Sequence, residues 1–235
     1  TRFRNVTGVQ TCALPISAGH DWLLHIDADE LFHTEKGDAS AHFASLQGAP
    51  IDTINYPNYE ALPESEDIGD FFREVTLFKV PPELNRKPVT AEGVRMLQTC
   101  PQLHPDFFHY YGAGKSAVRL SVQGMEPNGV HAFTREGGFS GARSMEGAIL
   151  HYAVCGFEAF WTKYRTLGAF ADSWWGKYEI EASIGRFHLD ARNAVAKGRE
   201  DARAFYREHA MMNDSARIEA LIAHGFLQRI RGLKT

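Results

Sequence analysis

A short apolar run that ends in clustered acids is the first clear block in the pattern of the chain. Residues 22–26 have the sequence WLLHI, and Asp27, Asp29 and Glu30 follow at once. An apolar run of this length predicts a buried strand rather than a helix. In open α/β sheets ligands bind where strands end. We therefore expect these acids to face a binding site.

The rest of the chain alternates between blocks with the period of strands and blocks with the period of helices. Strands are predicted over 51–56, 74–80 and 116–121, and helices over 38–47, 157–170, 191–211 and 214–223. The acidic, turn-rich segment 57–69 predicts a solvated loop. Segment 83–111 gives mixed signals. The pattern predicts an α/β fold with a helical C-terminal region.

The spacing of Asp27 and Asp29 carries the chemistry of the first block. Two carboxylates two residues apart lie on the same side of an extended chain, so both can face one cation. Mg²⁺ and Mn²⁺ prefer oxygen ligands and take their remaining ones from water or a substrate phosphate. The alternative for a bare Asp-x-Asp pattern is a solvated acidic turn after a strand.

The segment LLHIDADELF resembles the DxD segment of family 2 and related glycosyltransferases of the GT-A fold, especially a bacterial branch with a DxDE motif. GKSAVRL from Gly114, NGVHAF from Asn128 and AILHY from Ala148 resemble the same branch, in the same order. The resemblance implies a partial GT-A (nucleotide-diphospho-sugar transferase) fold, with a mixed sheet flanked by helices. It also implies transfer of a sugar from a nucleotide-diphospho sugar to a hydroxyl of a glycan or lipid-linked acceptor.

That family resemblance further implies an inverting, metal-dependent reaction, as in the assembly of cell-surface polysaccharide or lipopolysaccharide. Mn²⁺ or Mg²⁺ is the expected cofactor. The residues expected to bind the metal are Asp27, Asp29 and His151. Those expected to contact the diphosphate or the acceptor are Lys115, Arg119 and His131. For Arg119 an ordinary strand-edge charge, and for each histidine a structural ring, is the alternative.

Inversion requires a general base that takes the proton of the attacking hydroxyl. The candidates are Glu30, which is adjacent to the DxD motif, and Asp67 in the acidic segment, with Asp70 as a further loop alternative. The Glu-Asp dipeptide of many family 2 enzymes occurs at Glu66-Asp67 and Glu200-Asp201. The base stays open between these acids.

Two other enzyme classes are excluded by spacing. Gly114-Lys115-Ser116 lacks the first glycine of a phosphate-binding P-loop at the required distance, and a strand rather than a helix is predicted to follow. A haloacid-dehalogenase-type phosphatase also begins with an apolar strand and DxD, but Phe32 stands where that class has Thr or Val. A non-catalytic carbohydrate-binding domain, or an inactive truncated domain, is the alternative to a glycosyltransferase.

Composition narrows the class of protein without naming its chemistry. The chain has 235 residues, of which 44% are hydrophobic, and a formal net charge of -4. This charge gives no support to nucleic-acid binding, which normally requires a basic patch, and no apolar run is long enough to span a bilayer. The three cysteines have no metal-ligand spacing. These features predict a cytoplasmic protein. Its amphipathic tail 226–234 suggests contact with the inner face of the membrane or with another domain.

The organisation of the chain is predicted in three parts. Residues 6–16, VTGVQTCALPI, resemble translated sequencing adapter, so 1–16 is expected to be non-native. Residues 17–155 are expected to form the C-terminal part of a GT-A catalytic domain, and 156–235 a helical extension packing on it. The DxD comes so early that we expect a metagenomic fragment lacking its N-terminal half. Such a fragment would expose a sheet edge and bind nucleotide sugar poorly.

Overall fold

A computed structural model describes residues 19–35, 37–167, 173–174, 178–179 and 182–233. The adapter-like segment 6–16 and the end of the predicted helix 157–170 lie outside the described residues. Within them the chain forms strands and helices in mixed order. The predicted α/β class and the helical C-terminal region are confirmed. The narrower assignment to the GT-A fold stays a prediction.

Thirteen strands are seen among the described residues. They are β1 Trp22–Leu24, β2 Glu30–Thr34, β3 Thr53–Tyr56, β4 Asn58–Ala61, β5 Leu77–Lys79, β6 Lys115–Arg119, β7 Glu126–Asn128, β8 Ala132–Thr134, β9 Gly141–Arg143, β10 Gly147–His151, β11 Ser173–Trp174, β12 Tyr178–Glu179 and β13 Leu227–Arg229.

The α-helices of the same residues lie mostly in the C-terminal third. They are α1 Ala39–Ser45, α2 Phe71–Glu74, α3 Ala91–Gln98, α4 Phe157–Leu167, α5 Ala182–Lys197, α6 Arg199–Phe205 and α7 Ser215–Ala223. A 3-10 turn covers Pro82–Leu84, and a π-helical turn, Tyr206–Ala210, follows α6.

The chain divides into two compact units, each built from two stretches of sequence. The first unit contains the described residues up to Asn58 and Ala113–Leu150. The second contains Tyr59–Gly112 and the described residues from His151 onward. This division differs from the boundary predicted after residue 155, because Tyr59–Gly112 belongs with the C-terminal helices.

The first unit is built on a mixed sheet with the strand order β1-β6-β3-β9. β6 pairs antiparallel with both β1 and β3, while β9 runs parallel to β3. β1 is thus an end strand among the described residues of this sheet. β2 lies beside β10. Apolar side chains fill the core, chiefly Ile54, Tyr56, Ala117 and Ile149.

Helix α1 begins where the sequence predicts it. The Asp38 carboxylate accepts hydrogen bonds from the backbone N–H groups of Ser40 (2.8 Å) and Ala41 (3.4 Å). Such a cap satisfies donors that have no partner inside the helix. Asp214 caps α7 in the same way, through the N–H of Arg217 (3.0 Å). Both predicted helix starts are confirmed.

The second unit joins a small sheet to the C-terminal helices. β5 pairs antiparallel with β4 and with β13. One apolar cluster lies among α4, α5, α6 and the π-helical turn, centred on Phe157, Phe160, Tyr164 and Tyr206. The side-chain amide of Gln102 holds the end of this helical region, since it donates to the backbone carbonyl of Met211 (2.8 Å).

Several predicted boundaries are wrong for identifiable reasons. The predicted helix 191–211 is broken at Gly198, whose φ of 139° no helix permits. The predicted loop 57–69 begins with strand β4. The tail 226–234 is not a solvent-facing amphipathic segment: Phe226 and Leu227 are buried, and β13 pairs with β5. No helix in the described part of the chain is long and apolar enough to cross a membrane.

Gly114 enters β6 through a conformation that only glycine tolerates. Its φ is 71°, and a Cβ atom added there would lie 2.0 Å from the carbonyl oxygen of Tyr56. No such contact is possible without moving the strand beside it. The glycine of the Gly-Lys-Ser sequence therefore serves the approach of two backbones.

We expect Gly114→Ala to lower the free energy of unfolding by at least about 2 kcal/mol, because backbone strain and a clash add. Gly48→Ala is the matched control. Gly48 has a similar φ of 81° but nothing within 4 Å of the added Cβ, so its cost should be about 1 kcal/mol. Urea unfolding of the two variants measures the difference. Equal losses would contradict the close approach at Gly114.

Candidate functional site

The acidic motif lies in a tight turn between β1 and β2. The backbone N–H of Glu30 donates to the carbonyl of Asp27 (3.1 Å), and the Glu30 carboxylate accepts from the N–H of Asp27 (2.7 Å). These reciprocal bonds close the turn, so Asp27 and Asp29 are carried at its exposed side. The Glu30 side chain is fully buried beneath it.

Lys115 brings a positive charge directly to this turn. Its ammonium group is fully buried and donates to the Asp27 carboxylate over 2.7 Å. The Glu30 carboxylate lies 3.5 Å from the same nitrogen, and the backbone carbonyl of Val130 accepts from it at 3.3 Å. The structure therefore joins Asp27, Glu30 and Lys115 in one charged cluster.

His131 lies beside this cluster, at the end of the β7–β8 hairpin turn. Its Nδ1 is 3.0 Å from the carbonyl oxygen of Gly114. Because a carbonyl oxygen only accepts, Nδ1 carries the proton and the lone pair of the neutral ring is on Nε2. Burial and the nearby Lys115 ammonium lower the pKa of His131, against the opposing effect of the Gly114 carbonyl and the two acids. The ring is thus held neutral.

Arg119 is engaged with the backbone rather than with the acidic turn. Its guanidinium donates to the carbonyls of Leu46, Ala49 and Ile51 at 3.0–3.2 Å. It also lies over the ring of Trp22, 4.5 Å from the ring centroid. This arrangement matches the structural alternative for Arg119, and the predicted phosphate contact stays a prediction.

The two acids proposed as a base lie in different surroundings. The Glu30 carboxylate is buried and bonded within the turn, which gives it the place of a positioning group. Asp67 is exposed in a loop of the second unit, where its N–H donates to Ser65 (3.1 Å). That loop lines an open cavity together with Cys155 and Glu158. Asp70 is likewise exposed and precedes α2. The assignment of the base stays a prediction.

His151 belongs to the second unit, where aromatic rings surround it. Tyr111 lies 4.8 Å and Tyr110 5.6 Å from its ring, measured between centroids. Tyr110 also contacts Phe187 and His188. The aromatic group 107–111 is therefore packing, as the sequence favoured. The metal-binding role of His151 stays a prediction.

Sequence reasoning missed a buried ion pair in the second unit. The Glu60 carboxylate bonds the Lys79 ammonium over 2.6 Å, and both side chains are 1% exposed. The same carboxylate accepts from the backbone N–H groups of His109 and Tyr110 at 3.0–3.1 Å. The prediction that Glu60 lies in a solvated loop is wrong. Its signal was a lysine inside the apolar strand sequence LFKV, which requires a buried partner.

The two aspartates fit a hard divalent cation as a partial ligand set. The Asp27 side chain is 48% exposed, and Asp29 is half-buried. Across the described residues, no group of three or more His, Cys, Asp or Glu side chains is arranged to hold a metal ion. Mg²⁺ commonly takes one or two carboxylates and completes its shell with water and substrate phosphates. The pair therefore suits a cation that arrives with phosphate oxygens.

Comparison with known proteins connects this chain to two plant proteins. It is 29% identical over 229 residues to the glycosyltransferase-like protein At2g41451 of Arabidopsis thaliana, covering 91% of this chain and 47% of that protein. It is 28% identical over 219 residues to the glycosyltransferase-like protein At3g57200 of the same plant, covering 91% and 41%. The chain thus spans less than half the length of these relatives.

Two further comparisons gave no match. No family model matches the chain, and no solved structure matches it. The relationship is therefore a distant one to glycosyltransferase-like proteins, and it suggests a transferase.

A buried histidine in the second unit makes stability depend on pH. Burial lowers the pKa of His188 to about 4 from its ordinary 6.5, and the Lys163 charge acts in the same direction. The unfolded chain binds this proton at a higher pH than the folded chain does. Stability is therefore complete above pH 6.5 and is lost as the pH falls toward 4.

We expect the free energy of unfolding to fall by about 1–2 kcal/mol between pH 7 and pH 5 through this group. His188→Gln keeps a polar partner for the Tyr164 hydroxyl, which lies 2.9 Å from Nδ1, but removes the titration. Denaturant melts at both pH values should show a smaller loss in the variant. The same loss in both proteins would mean that His188 is not the cause.

Proposed function

We propose that this chain is part of a metal-dependent glycosyltransferase that moves a sugar from a nucleotide-diphospho sugar to an acceptor hydroxyl. The observation that carries the proposal is the turn at Asp27 and Asp29, where two partly exposed acids follow a strand beside a buried lysine and a neutral histidine. The distant similarity to two glycosyltransferase-like plant proteins supports the same class.

Asp27 and Asp29 would hold Mn²⁺ or Mg²⁺, which would neutralise the departing diphosphate. The protein contributes orientation and charge around that position. The turn is closed by Glu30, so the two aspartates are held in one direction. A preorganised arrangement of this kind favours the charge that develops as the sugar leaves.

His131 fits a contact with the donor. Because Nδ1 is bonded to Gly114, the ring presents Nε2 in a fixed orientation. A neutral imidazole can bind either a metal ion or a phosphate hydroxyl. In an inverting reaction the acceptor hydroxyl would attack the anomeric carbon directly, with its proton passing to a carboxylate base. Asp67 is our candidate, since its carboxylate is exposed.

The test is isothermal titration of UDP, GDP and their sugars, with and without Mn²⁺. We expect binding that requires Mn²⁺ and falls at least about tenfold in Asp29→Ala, because one of two protein ligands is lost. Asp201→Ala, an exposed acid on α6, is the matched control and should bind as the unmodified chain does.

Binding of equal strength in Asp29→Ala would contradict the proposal, as would the absence of any nucleotide binding. Hydrolysis of the bound nucleotide sugar without acceptor would distinguish an enzyme from a carbohydrate-binding domain. Binding without hydrolysis would favour the non-catalytic alternative for this chain.

A further inference from the structure

Lys115 has the surroundings of an internal counter-ion rather than of a ligand-binding lysine. Its side chain is fully buried, and its ammonium group already has the Asp27 carboxylate at 2.7 Å and the Val130 carbonyl at 3.3 Å. The Glu30 carboxylate lies 3.5 Å away. A buried ammonium with such partners is held in place, because leaving them would expose an uncompensated charge to a poorly polar interior.

The position of this charge affects what can bind to the acidic turn. Any cation that binds Asp27 must share that carboxylate with the Lys115 ammonium. The shared carboxylate is 48% exposed, whereas the ammonium is not exposed at all, so a bound cation approaches from the solvent side. Two positive charges on one carboxylate repel each other, and partial burial weakens the screening of that repulsion.

A diphosphate reverses the balance. Formally, Asp27, Asp29 and Glu30 contribute three negative charges and Lys115 one positive charge, a sum of -2. A divalent cation alone brings the sum to zero. A diphosphate then adds negative charge, which the lysine favours and which would be repelled more strongly in its absence.

We propose that Lys115 is a resident counter-ion that makes divalent-cation binding at Asp27 and Asp29 conditional on a diphosphate. This inference rests on the proposed function for the identity of the site. It assigns Lys115 a positioning role, acting through Asp27, in place of direct contact with the phosphate. Free cation binds weakly, and cation together with diphosphate binds well, because only the pair satisfies both the aspartates and the lysine.

The experiment measures the affinity for Mn²⁺ alone, by electron paramagnetic resonance of the unbound ion, in the unmodified chain and in Lys115→Gln. We expect Lys115→Gln to bind Mn²⁺ about tenfold more tightly, since the competing charge is gone and an amide can still bond Asp27. Lys115→Arg keeps the charge and should restore weak binding. A merely structural role of Lys115 would give no gain in affinity.

Lys79→Gln is the matched control, because Lys79 is also a fully buried lysine paired with a buried glutamate. It should leave Mn²⁺ affinity unchanged. Lys115→Met is a second variant that removes the charge with a side chain of similar length, should Lys115→Gln fail to fold. Circular dichroism checks the fold of each variant. Unchanged or weaker Mn²⁺ binding in the folded Lys115 variants would overturn the inference.

A second titration uses inorganic pyrophosphate with Mn²⁺. In the unmodified chain pyrophosphate should tighten Mn²⁺ binding, and this gain should shrink at least about tenfold in Lys115→Gln. An equal gain in both proteins would overturn the inference. The failure of the proposed function is a separate result: the chain would then bind no nucleotide sugar, while the Mn²⁺ comparison would still decide the role of Lys115.

Discussion

The ammonium group of Lys115 is the buried charge on which the first unit depends. A lysine cannot be buried without acceptors, and this one takes them from separate parts of the chain: Asp27 in the turn after β1, Glu30 in β2, and the carbonyl of Val130 in the β7–β8 hairpin. Each of these segments is therefore held to β6. The acidic turn has a defined shape because a cation inside the protein demands it.

The Glu60–Lys79 pair of the second unit shows what a purely structural version of this interaction looks like. Both of its side chains are 1% exposed, and the remaining lone pairs of the carboxylate are satisfied by the backbone of His109 and Tyr110. Burial of the pair is complete, which is the condition under which a buried ion pair is tolerated. In the first unit one partner, Asp27, is 48% exposed. That difference in exposure separates a site that a ligand can reach from a device that orders a loop.

The elements that sequence predicted correctly are those whose signals are local. The Asp38 and Asp214 caps and the apolar run before Asp27 needed no knowledge of distant residues. Strand β4 and the burial of Glu60 were missed because their cause is Lys79, nineteen residues away, and a charged residue in an acidic segment resembles a solvated one. The Lys115–Asp27 contact spans a still longer separation, and Arg119 was set among phosphate ligands because nothing in the sequence shows that three carbonyl groups surround it.

The incompleteness of the ligand set is informative about the chemistry such a turn can support. A protein that stores a cation supplies most of the ligands itself, whereas Asp27 and Asp29 leave most of the coordination shell to water or to a bound molecule. A cation held this loosely is positioned by whatever else it binds. The adjoining lysine strengthens that dependence, since it repels a cation alone and attracts the phosphate groups that accompany one. The same few charges thus favour a metal and a diphosphate together over either one alone, which is the requirement of a site that releases both when its reaction is complete.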